Sequence, residues 1–109
     1  ENNLSGGVFG IEPNDSKILR GGSFAPHKIQ GIGANFLPSI VDIHNLLGII
    51  PITDEDAFFG KTQLFERFSL YCGISSGAAL IGARRLAESL KDKEKGAIVA
   101  ILPDSGNRY

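Results

Sequence analysis

A chain of 109 residues has room for one small domain, and burial is modest at that size. A hydrophobic content of 42% with 21% charged residues is ordinary for a globular fold, and a formal net charge of −1 exerts no general pull toward nucleic acid or anionic membrane. No apolar run is long enough to cross a membrane, Glu1-Asn2-Asn3-Leu4-Ser5 does not read as a signal peptide, and the single Cys72 has no internal disulfide partner.

In chain order, Gly7-Val8-Phe9-Gly10-Ile11-Glu12-Pro13 predicts a short buried strand stopped by proline. Asn14-Asp15-Ser16 offers a cap for a brief helical piece over residues 17–20. Residues 21–34 form a glycine-rich loop without a long period, carrying His27, Lys28 and Gln30 among apolar neighbours. Such loops drape over a site or contribute to one. Gly31-Ile32-Gly33-Ala34-Asn35-Phe36 starts like a dinucleotide fingerprint, but the third glycine is missing and Pro38 stands where the helix should run.

The run Leu46-Leu47-Gly48-Ile49-Ile50-Pro51-Ile52 predicts a second strand. Thr53-Asp54-Glu55-Asp56 follows as a capping residue with acids in the first turn of a helix running to about Arg67. Its expected buried side is Ala57, Phe58, Leu64, Phe65 and Phe68. Gly60-Lys61-Thr62 resembles the end of a P-loop, but no glycine lies five residues earlier and the triplet falls inside that helix. A third strand is expected over residues 68–72. A second long helix is expected from about Ser76 to Lys91, with Arg84, Arg85, Glu88 and Lys91 as its solvated side. After the charged linker and Gly96, Ala97-Ile98-Val99-Ala100-Ile101-Leu102 reads as a central strand buried on both faces, and Pro103-Asp104-Ser105-Gly106 turns the chain. Strands alternating with helices give an α/β class with a mostly parallel sheet flanked by helices.

Between the third strand and the second helix lies Cys72-Gly73-Ile74-Ser75-Ser76-Gly77-Ala78-Ala79. Glycines allow a sharp turn or a close backbone approach, and the first amides of a helix lack partners at the positive end of its dipole. Ser75 or Ser76 is then either a simple N-cap or a hydroxyl presented to a ligand. Gly73-x-Ser75-x-Gly77 also matches a hydrolase nucleophile elbow, but His27 and His44 both precede the serine, so the triad cannot be completed in the expected order. Both residues 73–77 and 103–106 follow expected strands and should meet at one edge of the sheet, where ligands of α/β folds bind.

Taken together, Pro26-His27-Lys28-Ile29-Gln30-Gly31-Ile32-Gly33-Ala34, Gly73-Ile74-Ser75-Ser76-Gly77-Ala78-Ala79 and Leu102-Pro103-Asp104-Ser105-Gly106-x-Arg108-Tyr109 resemble cysteine synthase (O-acetylserine sulfhydrylase), a family of fold-type II pyridoxal-phosphate enzymes. Val8-Phe9-Gly10-Ile11-Glu12-Pro13 matches the strand before the substrate loop of that family. Cystathionine β-synthase shares the plan. The resemblance implies that residues 1–109 are roughly the C-terminal third of the catalytic fold, a piece of a longer protein. The Schiff-base lysine, the asparagine-containing substrate loop and the phosphate cup are expected in the other part. Lys28 and Lys61 match no cofactor lysine, so the chain alone is expected to be inactive.

The resemblance further implies that Ser75 meets the pyridine nitrogen of pyridoxal 5'-phosphate, with Gly73, Pro103 and Asp104 beside the cofactor. Gln30, Gly31, Ile32, Gly33 and Ala34 correspond to the loop lining the substrate entrance. No metal ligands are implied. The implied substrates are O-acetylserine and sulfide, giving cysteine and acetate. The implied partners are a second copy in a homodimer and the C-terminal peptide of serine acetyltransferase. The expected location is the cytoplasm or an organelle stroma or matrix, which the single cysteine suits. Asn35 stands where glycine is usual, and Phe58-Phe59-Gly60-Lys61 replaces a more alanine-rich helix start. A cystathionine β-synthase-like enzyme, and a portion that only binds a partner, are the alternative readings.

Overall fold

The computed structural model describes residues 7–34, 39, 42–90, 97–103 and 105–106. Among them are two strands, β1 (Val8–Pro13) and β2 (Leu46–Ile52), and two long helices, α1 (Asp54–Phe68) and α2 (Ile74–Leu90). The strands pair in parallel, with Phe9 opposite Gly48 and Pro13 opposite Ile52, after a register shift between Val8 and Phe9. The described part of the connection between them holds turns and a short 3-10 helix, Ile43–Asn45, that feeds β2. The class is α/β, as the alternation of patterns predicts.

The helix starts follow from local chemistry. Thr53 is the N-cap of α1, and its hydroxyl accepts from the Asp56 amide at 3.1 Å. The three acids Asp54, Glu55 and Asp56 sit in the first turn, where the dipole favours them. The helix ends at Ser69 in the left-handed conformation (φ 58°). The Ser69 amide bonds back to the Phe65 carbonyl at 3.0 Å and the Leu70 amide to the Leu64 carbonyl at 3.0 Å. This cap carries the chain away from the helix, so residues 69–71 are not the strand that their composition suggests. Residues 18–21 form consecutive turns rather than the expected helical piece.

The core is a cluster of Ile29, Ile52, Ala57, Ile74, Ala78 and Ile81, with Ile11, Ile32 and Ile50 packed against it. The helices meet on their smallest residues. A Cβ at Gly60 would overlap the backbone of Gly77, and one at Gly77 would overlap the backbones of Ala57 and Gly60. Such a close crossing leaves α1 a narrow buried face of Ala57, Gly60 and Leu64. Phe58, Phe65 and Phe68, expected inside, are exposed, because they point away from the face that the glycine crossing selects. Arg84 and Arg85 are not merely solvated. Arg84 reaches Gln63 at 3.5 Å. Arg85 donates to the Pro51 carbonyl at 3.1 Å and forms an ion pair with Asp56, tying α2 to the β2–α1 junction.

Residues 97–103 carry the largest departure. They form no strand, and Val99 and Ile101 are 82% and 74% exposed. An apolar run becomes a strand when neighbours take up its amides and carbonyls. Among the described residues no strand pairs with it.

Candidate functional site

Gly73, not a serine, occupies the capping position of α2, since its carbonyl accepts the Ser76 amide at 3.2 Å and the Gly77 amide at 3.3 Å. Ser75 and Ser76 therefore lie inside the first turn. Both are buried, Ser75 with 4% of its surface exposed, and both make polar contacts. Nor is the turn an elbow after a strand, because the chain enters it from the Ser69 cap. The hydrolase reading loses its structural context there.

The stretch around Pro103 reaches the same place. Ser105 bridges Cys72 in antiparallel fashion, and the Gly106 amide donates to the Tyr71 carbonyl at 3.0 Å. A Cβ at Gly106 would lie 2.7 Å from the Tyr71 ring, so this approach needs glycine. Pro103 is exposed beside that contact, and Asp104 lies outside the described residues, as do Asn35, Lys91 and the terminal Arg108 and Tyr109.

The glycine-rich loop meets α2 through its one wholly buried side chain. Ile29, 0% exposed, joins Ile74 and Ala78 in the core cluster. Ile32 packs against the same cluster. Around these anchors Gln30, Gly31 and Ala34 are exposed, and Gly33 is half-buried. Gly31 and Gly33 have φ of 99° and 70°, and a Cβ at Gly33 would meet the His27 ring and lie 2.6 Å from Pro13 Cγ. The loop is also held to α1, where Asp54 Oδ1 accepts the Lys28 amide at 3.1 Å. Its other end is fixed by Ser16, whose Oγ accepts the Ala25 amide at 3.1 Å.

Three separate stretches thus gather around the start of α2: residues 26–34, 73–79 and 105–106. The loop lies at the carboxyl ends of β1 and β2, the edge at which α/β sheets present ligands. The first turn of α2 holds two hydroxyls and no acid. A neutral atom with a lone pair, or an anion, fits such a turn; a cation does not. Lys28 is exposed on the loop and, among the described residues, bonded through its amide alone, and Lys61 lies within α1. Composition alone did not reveal Ile29 as the anchor. Its only signal is an isolated isoleucine between Lys28 and Gln30 in an otherwise aperiodic loop.

No family model matches the chain. Among curated proteins it is similar to cysteine synthase A of Escherichia coli (strain K12), 43% identical over 105 residues that cover 91% of this chain and 32% of that protein. Among solved structures it is similar to cysteine synthase (OASS) from Entamoeba histolytica, with a TM-score of 0.84 and 38% identity over 94% of this chain and 30% of that one. It is similar as well to an O-acetylserine-dependent cystathionine β-synthase from Helicobacter pylori, with a TM-score of 0.82 and 35% identity over 94% of this chain and 33% of that one. The chain spans about a third of the length of the relatives it matches.

Proposed function

We infer that this chain is the C-terminal part of a pyridoxal-phosphate-dependent cysteine synthase, in which acetate leaves Cβ of O-acetylserine and the sulfur of hydrosulfide takes its place. The observation that carries the reading is the junction at α2. The three stretches that resemble the family are far apart in sequence, and their described residues meet around the start of α2. The 43% identity to a cysteine synthase supports the same conclusion.

When bound, pyridoxal phosphate supplies the electron sink that labilises the Cα proton and lets acetate depart. The chain's own residues have plainer tasks. Ser75 would donate its hydroxyl hydrogen to the pyridine nitrogen. The helix dipole and an acid-free first turn would disfavour a proton on that nitrogen. Gly73, Pro103 and Asp104 would border the ring. Gln30, Gly31, Ile32, Gly33 and Ala34 would line the entrance, with Ile29 and Ile32 fixing the loop's inner side. The same exposed loop edge is where we place the C-terminal peptide of serine acetyltransferase. A homodimer and a cytoplasmic, stromal or matrix location belong to the same reading. Among the described residues no helix is long and apolar enough to cross a membrane.

The test is an assay of the full-length protein carrying this sequence with O-acetylserine and sulfide. Cysteine and acetate in equal amounts are expected. Cystathionine formed with homocysteine, and no cysteine with sulfide, would favour the second reading, which the match to the cystathionine β-synthase structure supports. Neither product would point to a portion that only binds a partner.

A further inference from the structure

His27 makes two ring hydrogen bonds that only one protonation state can satisfy. Its Nδ1 accepts the Ile29 amide at 3.1 Å, and its Nε2 lies 3.1 Å from the Gly33 carbonyl oxygen. A carbonyl only accepts, so Nε2 must carry a hydrogen. An amide only donates, so Nδ1 must not. The arrangement requires the neutral Nε2–H tautomer. The ring closes a circuit over residues 27–33, with the Ile32 amide on the Ile29 carbonyl at 3.4 Å completing the turn. The edge of Phe24 abuts the imidazole, their centroids 6.5 Å apart, and Gly33 lies against both the imidazole and Pro13. The charged groups around it are Lys28 on the loop, Asp54 on α1, and the Glu12–Arg20 pair beside Pro13 on β1.

We propose that neutral His27 is a positioning residue, the clasp that sets the exposed edge Gln30–Gly31–Ala34 of the loop, and that protonating the ring releases it. The imidazolium has a hydrogen on both nitrogens. It keeps the bond to Gly33 but turns the Ile29 amide from a partner into an opposed donor. Ile29 stays in the core, so the change is confined to the turn between two fixed points rather than spread through the fold. That this edge borders a substrate entrance rests on the function proposed above; the clasp itself does not.

Nitrogen NMR and amide exchange on the full-length protein carrying this sequence test the clasp without turnover, so it and the proposed activity stand or fall separately. At neutral pH, Nε2 of His27 is expected to be protonated and Nδ1 bare; the opposite tautomer overturns the proposal. Once acidification has put a hydrogen on both ring nitrogens, as the nitrogen spectrum reports, protection of the Ile29 amide relative to its intrinsic rate should fall about tenfold, the equivalent of one hydrogen bond. The Leu64 amide inside α1 should not follow; parallel loss there would make the change global and overturn the idea. His27→Asn keeps an acceptor for the amide two residues on and cannot titrate, so its Ile29 protection should be flat with pH. His27→Leu should be low throughout. A pH response in His27→Asn equal to the wild type's would overturn the assignment.

Discussion

Glu12 is 2% exposed, at the end of β1, and its carboxylate accepts from the Leu19 amide at 2.5 Å and from Arg20 Nε at 2.8 Å. Arg20 in turn donates to the Pro13 and Asn14 carbonyls, both at 2.9 Å. A buried carboxylate deprived of its cation is costly, whereas a neutral amide in its place retains an acceptor for the backbone. Arg20→Ala should therefore lower unfolding stability by about 3 kcal/mol, and Glu12→Gln by about half of that, roughly 1.5 kcal/mol. Urea titration of both variants checks the order; equal losses would mean that the charge pairing contributes little. At the serines, Ser75→Ala in the full-length protein should weaken cofactor binding by roughly one to three kcal/mol, the loss of one buried hydrogen bond. Ser76 is wholly buried one position further in, so Ser76→Ala should act on stability with cofactor affinity nearly unchanged. Cofactor titration compares the two, and a larger affinity loss for Ser76→Ala would mean that the roles are reversed.

At the scale of the elements, the α1–α2 crossing dominates. Alanine in place of a helical glycine gains about 1 kcal/mol of intrinsic propensity. At Gly60 and Gly77 the added methyl meets backbone, which cannot rotate away, so each substitution should be destabilising by about 1–3 kcal/mol despite that gain. Gly82 is the contrast, because a Cβ there meets side chains rather than backbone, the tip of Ile11 closely and Ile50 at an ordinary 3.9 Å. Gly82→Ala should be close to neutral. Denaturant midpoints for the three variants decide the matter, and a stabilised Gly60→Ala would show that the helices can part at little cost. The other element-scale feature is the Ser69 cap. A non-glycine residue in the left-handed region carries a penalty of about 1–2 kcal/mol, so Ser69→Gly should raise the thermal midpoint. A lowered midpoint would mean that the serine side chain contributes more than its backbone strain costs. Here the sequence was a partial guide. Thr53 and the acids after it locate the start of α1 because capping is decided within one turn. The crossing glycines could not be read, since Gly60 has meaning only once Gly77 lies against it.

On the scale of the whole molecule, Val99, Ile101, Phe59, Phe65 and Phe68 leave much apolar surface in water. Surfaces of this kind mark contacts with other protein, and the chain spans about a third of the relatives it matches. The isolated 109-residue chain should accordingly bind a hydrophobic dye and make no cysteine from O-acetylserine and sulfide with added cofactor. Measured cysteine production would refute this and would place a complete site within these residues. What the sequence determined by itself was local or cumulative. The strands β1 and β2, the two helices and the α/β class follow from short-range pattern, and the family resemblance follows from three motifs read together. Tertiary structure decided what depends on a distant partner. It left residues 97–103 without a strand, because an apolar run needs neighbouring amides and carbonyls. It turned the phenylalanines of α1 outward, because the close glycine crossing leaves that helix only a narrow buried face. It also set Gly73 rather than a serine at the head of α2, and closed His27 onto Ile29 and Gly33, bonds whose geometry exists only when the loop is folded against the core.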